Sequence, residues 1–393
     1  MNTSRATRRC AAESSRVAVP RESIRPNAGR AGRVFGAVCL LAWGLLPSPA
    51  EGQVAVAYIP RPEEVDAAIE RGLSYLLTVQ AEDGSFDGKF GRSTGVVSLC
   101  GMAFLAKGYT PGYGRYGKAV ERCIDYVLAH NRDGQGYFTA DQSAHGPMYS
   151  HNIATLFLSE VSGMVDADRQ KAVSAAIAAA VRTILAAQGV EKGDPHAGGW
   201  RYQRSSRDSD LSCSGWALMA LRSARLNGAP VPDEAIEQAR AYIMKRYDSG
   251  QGRFGYQDTS NSSETLTGAA VLCLELTGSH GDEVTRRAGN YMLNVYRRIP
   301  RDDFPYYGLY YNAQAAFQLG GRYWKRIASW MYDTWLPEQK ADGSWPTPSH
   351  CWMAKHGKGD TAYITAMAVL SLAVPYRQLP IYQRDETVDE EVQ

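Results

Sequence analysis

Ala68-Ile-Glu-Arg-Gly-Leu-Ser-Tyr75-Leu-Leu-Thr-Val-Gln80 aligns without gaps on Ala119-Val-Glu-Arg-Cys-Ile-Asp-Tyr126-Val-Leu-Ala-His-Asn131 and again on Ala235-Ile-Glu-Gln-Ala-Arg-Ala-Tyr242-Ile-Met244. Each copy carries an aromatic at its eighth position. Two weaker copies place Tyr291 and Trp330 there, and a sixth, Ala176 to Gln188, has Thr183. Apolar residues recur at spacings of three and four, so every copy is predicted to be an amphipathic helix with one buried face. Repetition on this scale decides the architecture before any other signal does.

A turn follows each copy and ends in an aromatic. The turns are Asp83-Gly-Ser-Phe86, Asp133-Gly-Gln-Gly-Tyr-Phe138, Gly198-Gly-Trp200, Gly252-Arg-Phe254 and Asp342-Gly-Ser-Trp345, with Asp303-Phe-Pro-Tyr306 as the fifth copy's substitute. Glycine permits the positive φ of a sharp reversal, and the aromatic plugs the turn onto the helix ends. A second helix then begins, marked by a small residue and an apolar one four later: Gly95/Leu99, Ala154/Leu158, Gly215/Met219, Gly268/Leu272, Ala313/Phe317 and Ala366/Leu370. These second helices are apolar on all sides, which marks them as buried, whereas the first helices keep a charged stripe. Six units of outer helix, turn and inner helix, with no polar capping repeat, predict an all-α (α/α)6 toroid over residues 63–377 rather than an open solenoid.

Composition agrees with one globular ring. The chain has 393 residues, 44% of them hydrophobic, which excludes a disordered protein. Its net charge of +2 is the sum of two unlike parts. Residues 1–50 hold eight Arg, no Lys and two Glu, a net +6, while the remainder is at −4. No basic patch occurs in that remainder, so nucleic acid is not an expected partner. Within residues 1–50, Arg30 and Arg33 precede the apolar run Val34 to Leu46, and Pro47-Ser-Pro-Ala50 offers small residues for cleavage after Ala50. The segment is expected to be an export signal that is removed, making the protein periplasmic or extracellular. The run is too short to span a bilayer, and the Ala-rich stretch Val173 to Gln188, interrupted by Arg182, is expected to pack as a helix rather than cross a membrane. Residues 51–62, with Pro60 and Pro62, form a linker; residues 378–393, with five acids from Arg384 onward, are expected to be a disordered acidic tail. Cys100, Cys123, Cys213, Cys273 and Cys351 are odd in number and widely spaced, so no disulfide framework is expected.

Arg71-Gly72-x2-Tyr75-Leu76-x3-Gln80-x3-Gly84-x-Phe86 resembles the repeat of terpene cyclases and protein prenyltransferase β subunits, the prenyltransferase and squalene oxidase repeat. Leu336-Pro-Glu-Gln339-x3-Gly343-Ser-Trp345 is similar to the Gln-to-Trp half of that repeat, and Gln188 before Gly199-Trp200 is a looser case. The resemblance implies the toroid fold over nearly the whole chain beyond the leader. It implies far less about chemistry, because one fold hosts many functions.

All six inner helices are predicted to start on one rim, where free N–H groups and positive dipole ends converge. The polar residues expected there supply the candidates: Asp210, Asp360, His151 and Glu264 for acid–base work, and Trp200, Tyr149, Tyr310, Tyr311 and Asn312 for ligand contact. Ser263, Asp210 and Asp360 have an equally direct role as helix N-caps. Against the resemblance, Gly357-Lys-Gly-Asp360-Thr-Ala362 keeps only the last Asp, Thr and Ala of the cyclase acid motif, with Gly359 in place of the proton donor. Asp210-Leu-Ser-Cys213-Ser-Gly-Trp216 resembles the prenyltransferase zinc segment with one residue inserted, and the next inner helix, Ser263 to Leu276, has no His, so no metal and no cofactor are expected. Toroids also carry carbohydrate-active enzymes, for which the loop cluster Asp141, His145, Tyr149 and His151 and the aromatics Tyr306, Tyr307, Tyr310 and Tyr311 are candidates. The leading expectation is an apolar, polymeric or protein ligand bound at the rim. The carbohydrate-active toroid and a cyclase-like enzyme using Asp360 are its alternatives.

Overall fold

A computed structural model describes residues 58–140, 146–261, 264–356 and 359–383. The leader, Asp141, His145, Ser263 and the acids from Asp385 onward lie outside the described residues.

The predicted pairs of helices form in order. They are α1 (Pro62–Val79) and α2 (Thr94–Ala106), α3 (Gly117–Ala129) and α4 (Pro147–Val161), α5 (Ala167–Gln188) and α6 (Leu211–Leu226), α7 (Asp233–Met244) and α8 (Glu264–Glu275), and α9 (Glu283–Val295) and α10 (Pro305–Leu319). The last pair is α11 (Gly321–Trp335) and α13 (Thr361–Leu372), with the single turn α12 (Trp352–Lys355) between them. The inner helices pack in sequence, α2 on α4, then α6, α8, α10 and α13, and α13 returns to α2. The ring is closed, and the chain is an (α/α)6 toroid. Each outer helix lies most closely on the inner helix that precedes it around the ring, α1 on α13 included, so packing joins inner to following outer across the boundaries of the sequence repeat. Every residue of α2 is buried, as its all-round apolar sequence requires. On α1 only one face is: Val65, Ala68, Ile69, Gly72, Leu73 and Leu76.

The repeat motif has a mechanical explanation. The Gln80 side-chain amide donates to the Ala119 carbonyl at 3.0 Å, Gln188 to Ala235 at 2.9 Å and Gln339 to Ala68 at 2.8 Å. Each glutamine thus ties its turn to the next outer helix, and Gln339 ties the last to the first. The amide oxygen of Gln80 accepts from Arg122 at 2.7 Å, and that of Gln339 from Arg71 at 2.6 Å. Glycine is required between them because the backbones touch. A Cβ on Gly84 would lie 2.2 Å from the Arg122 carbonyl oxygen, one on Gly343 2.3 Å from that of Arg71, and φ at the two glycines is +92° and +91°. The closing aromatics are plugs: Phe86, Phe138, Trp200, Phe254, Tyr306 and Trp345 are all buried. The Trp200 and Trp345 indoles donate to the Ile184 and Trp335 carbonyls, both at 2.8 Å.

One expectation changes here, and one about α5 is met. The segment expected as tail from residue 378 is packed at its start. A 3₁₀ turn over Pro380–Tyr382 buries Ile381 and Tyr382 beneath the toroid, because the ends of α4, α6 and α10 offer partners. Arg222 donates to the Ile381 carbonyl at 2.9 Å, Gln318 to that of Tyr382 at 3.1 Å, and the Ile381 N–H to Glu160 at 3.2 Å. Among the described residues, α5 alone is long and apolar enough to cross a membrane by composition. Its Val173, Ile177, Ala180, Val181 and Ile184 are buried in the ring.

Candidate functional site

At the rim where the inner helices begin, the toroid axis holds a cavity of about 490 Å³. All six inner helices reach it: α2 through Val96 and Leu99, α4 through Tyr149 and Ile153, α6 through Ser212 and Trp216, α8 through Thr265 and Leu266, α10 through Tyr307, and α13 through Tyr363 and Met367. The mouth is formed by Tyr202 and Tyr256 from loops and by Asp302, Asp303, Phe304 and Trp352 beside α10 and α12. The volume suits a small-molecule site. Convergence follows from the repeat, since each turn delivers the first two turns of its inner helix to the same level.

The polar groups of this wall are largely bonded to one another. The Tyr307 hydroxyl accepts from the Trp216 indole at 2.9 Å and pairs with Ser212 Oγ at 2.7 Å. Ser93 pairs with Ser150 at 2.9 Å. Thr265 donates to Asp302 at 3.0 Å. The Tyr202 and Tyr256 hydroxyls bond to each other, and Arg201 donates to Tyr256 at 2.8 Å while its guanidinium covers the Tyr202 ring at 4.1 Å. Burial pushes the Tyr149, Tyr307 and Tyr363 phenols up, so they are neutral. The surface offered to a guest is mostly ring faces and aliphatic chains, with the carboxylates Asp302 and Asp303 at its edge.

Of the nine candidates from sequence, Tyr149 lines the cavity. The other eight lie outside its lining, each for a physical reason. Asp210 is buried as the N-cap of α6, accepting from the Cys213 N–H at 2.8 Å and from Arg201 at 2.8 Å. Burial raises its carboxyl, and the Cys213 N–H and Arg201 oppose that. Asp360 caps α13, accepting from the Tyr363 N–H at 2.9 Å and the Phe90 N–H at 2.8 Å, and burial raises it too. His151 is fully buried, accepts from the Phe138 N–H at 3.2 Å and meets the Ala180 carbonyl at 3.3 Å. Ser214, Thr267 and Thr365 accept from the plug residues Trp200, Phe254 and Trp345 in the same way, so His151 occupies a turn-anchoring position. Burial lowers its pKa to about 4, leaving it neutral. Glu264, at the start of α8, pairs with Arg298 at 3.5 Å. Trp200 is a buried plug. Tyr310 stacks on Trp216 with centroids 5.7 Å apart and bonds Tyr382 below the cavity. Tyr311 packs edge-on against Tyr307 at 4.8 Å, one layer deeper. Asn312 donates to the Gly308 carbonyl at 2.9 Å within α10.

Asp302, Phe304, Trp352 and Met353 also line the cavity, and no motif in the sequence marks them as site residues. Their signal was faint. They lie where the fifth turn departs from the glycine pattern and where α12 interrupts the sixth unit.

No protein-family model matches the chain, and no curated protein matches it. Solved structures share its fold. An α-1,6-mannanase of Salegentibacter, in an inactive variant bound to α-1,6-mannotriose, is 10% identical over 79% of this chain and 99% of its own, with a TM-score of 0.57. A glycosidase variant is 16% identical over 81% and 98%, with a TM-score of 0.54. A type II terpene cyclase from Scytonema bound to geranylgeranyl dihydroxybenzoate is 14% identical over 81% and 98%, with a TM-score of 0.45. At these identities the likeness to the mannanase and the glycosidase is one of fold alone.

Proposed function

We propose that this toroid binds the apolar part of a small amphipathic molecule in its axial cavity. The observation that carries this is the satisfied wall. The Tyr307–Ser212–Trp216 and Tyr202–Tyr256–Arg201 groups bond to each other, so a polyhydroxylated guest would recover from them few of the hydrogen bonds it gives up to water. An apolar guest gives up no hydrogen bonds of its own and gains about 25 cal/mol per Å² of covered surface. Titration followed by intrinsic tryptophan fluorescence, to which the cavity residues Trp216 and Trp352 contribute, tests the point. 1-Decanol is expected to change the emission saturably, and α-1,6-mannotriose is not. Saturable binding of mannotriose without binding of decanol would sink the proposal.

A second reading rests on one observation. Asp302 and Asp303 are consecutive carboxylates on the cavity wall, and the mannanase above is inactive when two consecutive aspartates become asparagine. Release of sugars from an α-1,6-mannan, abolished by Asp303→Asn, would establish that reading instead.

We also take residues 1–50 as a removable export signal. N-terminal sequencing of the mature protein should begin at Glu51; a start at Met1 would refute this.

A further inference from the structure

We propose that the polar end of the guest is a cation, which makes the ligand class a cationic amphiphile such as an alkylammonium. The inference rests on the apolar-ligand reading above and adds the sign of the head group. Among the described residues lining the cavity the charged ones are Asp302 and Asp303, and no Lys or Arg lines it. Both stand at the mouth beside the rings of Phe304 and Trp352, whose centroids are 5.8 Å apart.

This corner is built as one piece. Asp302 is fixed by two donors, Thr265 Oγ1 at 3.0 Å and the Phe304 N–H at 3.1 Å. The Trp352 N–H donates to the Asp303 carbonyl at 3.0 Å, which joins α12 to the start of α10. Phe304 is 40% exposed, one of five large apolar side chains in the described chain left so open to water. Aromatic faces beside a carboxylate attract a weakly hydrated cation through ring quadrupole and charge together. They repel a sulfate or diphosphate head. The positive ends of six inner helices, about half an elementary charge each, meet this rim; Asp210 and Asp360 cap two of them, Glu264 opens a third, and Asp302 and Asp303 stand beside the end of α10. Lys355 meets Asp303 at 3.4 Å, but both side chains are more than half exposed, so the pair is weak and a bound cation can displace it. The aliphatic floor of Val96, Leu99, Ile153 and Met367 then takes the chain of the guest.

The test compares three ten-carbon probes below their micelle concentrations: decyltrimethylammonium, 1-decanol and decyl sulfate. Calorimetry should find the cation bound about ten-fold tighter than decanol, and the sulfate weaker than decanol. In Asp303→Asn the ratio of cation to decanol affinity should fall about three-fold, and in Lys355→Gln it should rise. Added salt should shrink the ratio. Decanol and sulfate binding as well as the cation would overturn the head-group inference and leave the apolar-ligand reading standing. Binding of none of the three would overturn both. Thermal unfolding of each variant confirms that the comparison is made on folded protein, and Asp303, whose carboxylate pairs with the exposed Lys355 among the described residues, is chosen over the doubly bonded Asp302 for that reason.

Discussion

At the residue scale, Asp210, Asp360 and His151, which looked chemical in the sequence, all hold local backbone. Asp210 and Asp360 cap inner helices, and His151 anchors a turn. Residue type and position at a helix start are the same for a cap and a catalytic acid, so the sequence could not separate the two. Glu160 is the buried acid that leaves a measurable trace. It accepts from Ser223 and from the Ile381 N–H, and burial pushes its pKa to about 7 from an ordinary 4.5. The folded chain holds this proton more tightly than the unfolded chain. Its contribution to stability is therefore complete below pH 4.5 and is lost as pH rises to about 7. His151 runs the other way: its contribution is complete above pH 6.5 and is lost as pH falls to about 4. Urea unfolding of Glu160→Gln against the wild type at pH 4 and pH 8 isolates the first. The variant should improve relative to the wild type by about 3 kcal/mol between the two. An equal difference at both pH values would show that Glu160 titrates normally.

At the element scale, the repeat is a connector as well as a helix former. Its Arg, Gly and Gln positions are explained by contacts to the next unit, which alignment detects as a motif without revealing what it touches. Gly343→Ala should cost about 3 kcal/mol, because it combines a left-handed φ with a Cβ driven into the Arg71 carbonyl. Gly134→Ala is the control. Its φ is +68°, but nothing lies within 4 Å of the added Cβ, so the cost should be about 1 kcal/mol. Equal losses in denaturant melts of the two variants would mean that backbone strain alone explains the glycine. The helices and their turns were legible because hydrophobic period, glycine and aromatic all mark them. The corner built from Asp302, Phe304 and α12 was not, because it falls where the repeat lapses.

At the scale of the whole molecule, the ring has no ends. Packing of α13 on α2 and the bond from Gln339 to Ala68 make the sixth unit a neighbour of the first. A solenoid that loses its last repeat keeps the rest folded. A chain ending at Gly320 should instead lose most of its helical signal, since α1 and α2 would expose the faces that α13 covers, and α10 those that α11 and α13 cover. Circular dichroism of that truncation decides the matter, and retention of five-sixths of the helical signal would count against closure as the source of stability. The C-terminal turn over Pro380–Tyr382 belongs to the same logic, filling the far end of the toroid with Ile381 and Tyr382.

The amino-acid sequence by itself determined that this is a closed toroid of six helical pairs with a rim of converging helix starts. Those properties follow from local periodicity and from counting. Only the tertiary structure decided which rim side chains face the axis and which are consumed as caps, plugs and anchors. That choice depends on the rotation of each helix about its own axis and on contacts such as Thr265 to Asp302 and Trp216 to Tyr307, between residues 37 and 91 positions apart. No local pattern encodes such pairings, and they are what turn a polar-looking rim into an apolar cavity with two carboxylates at its mouth.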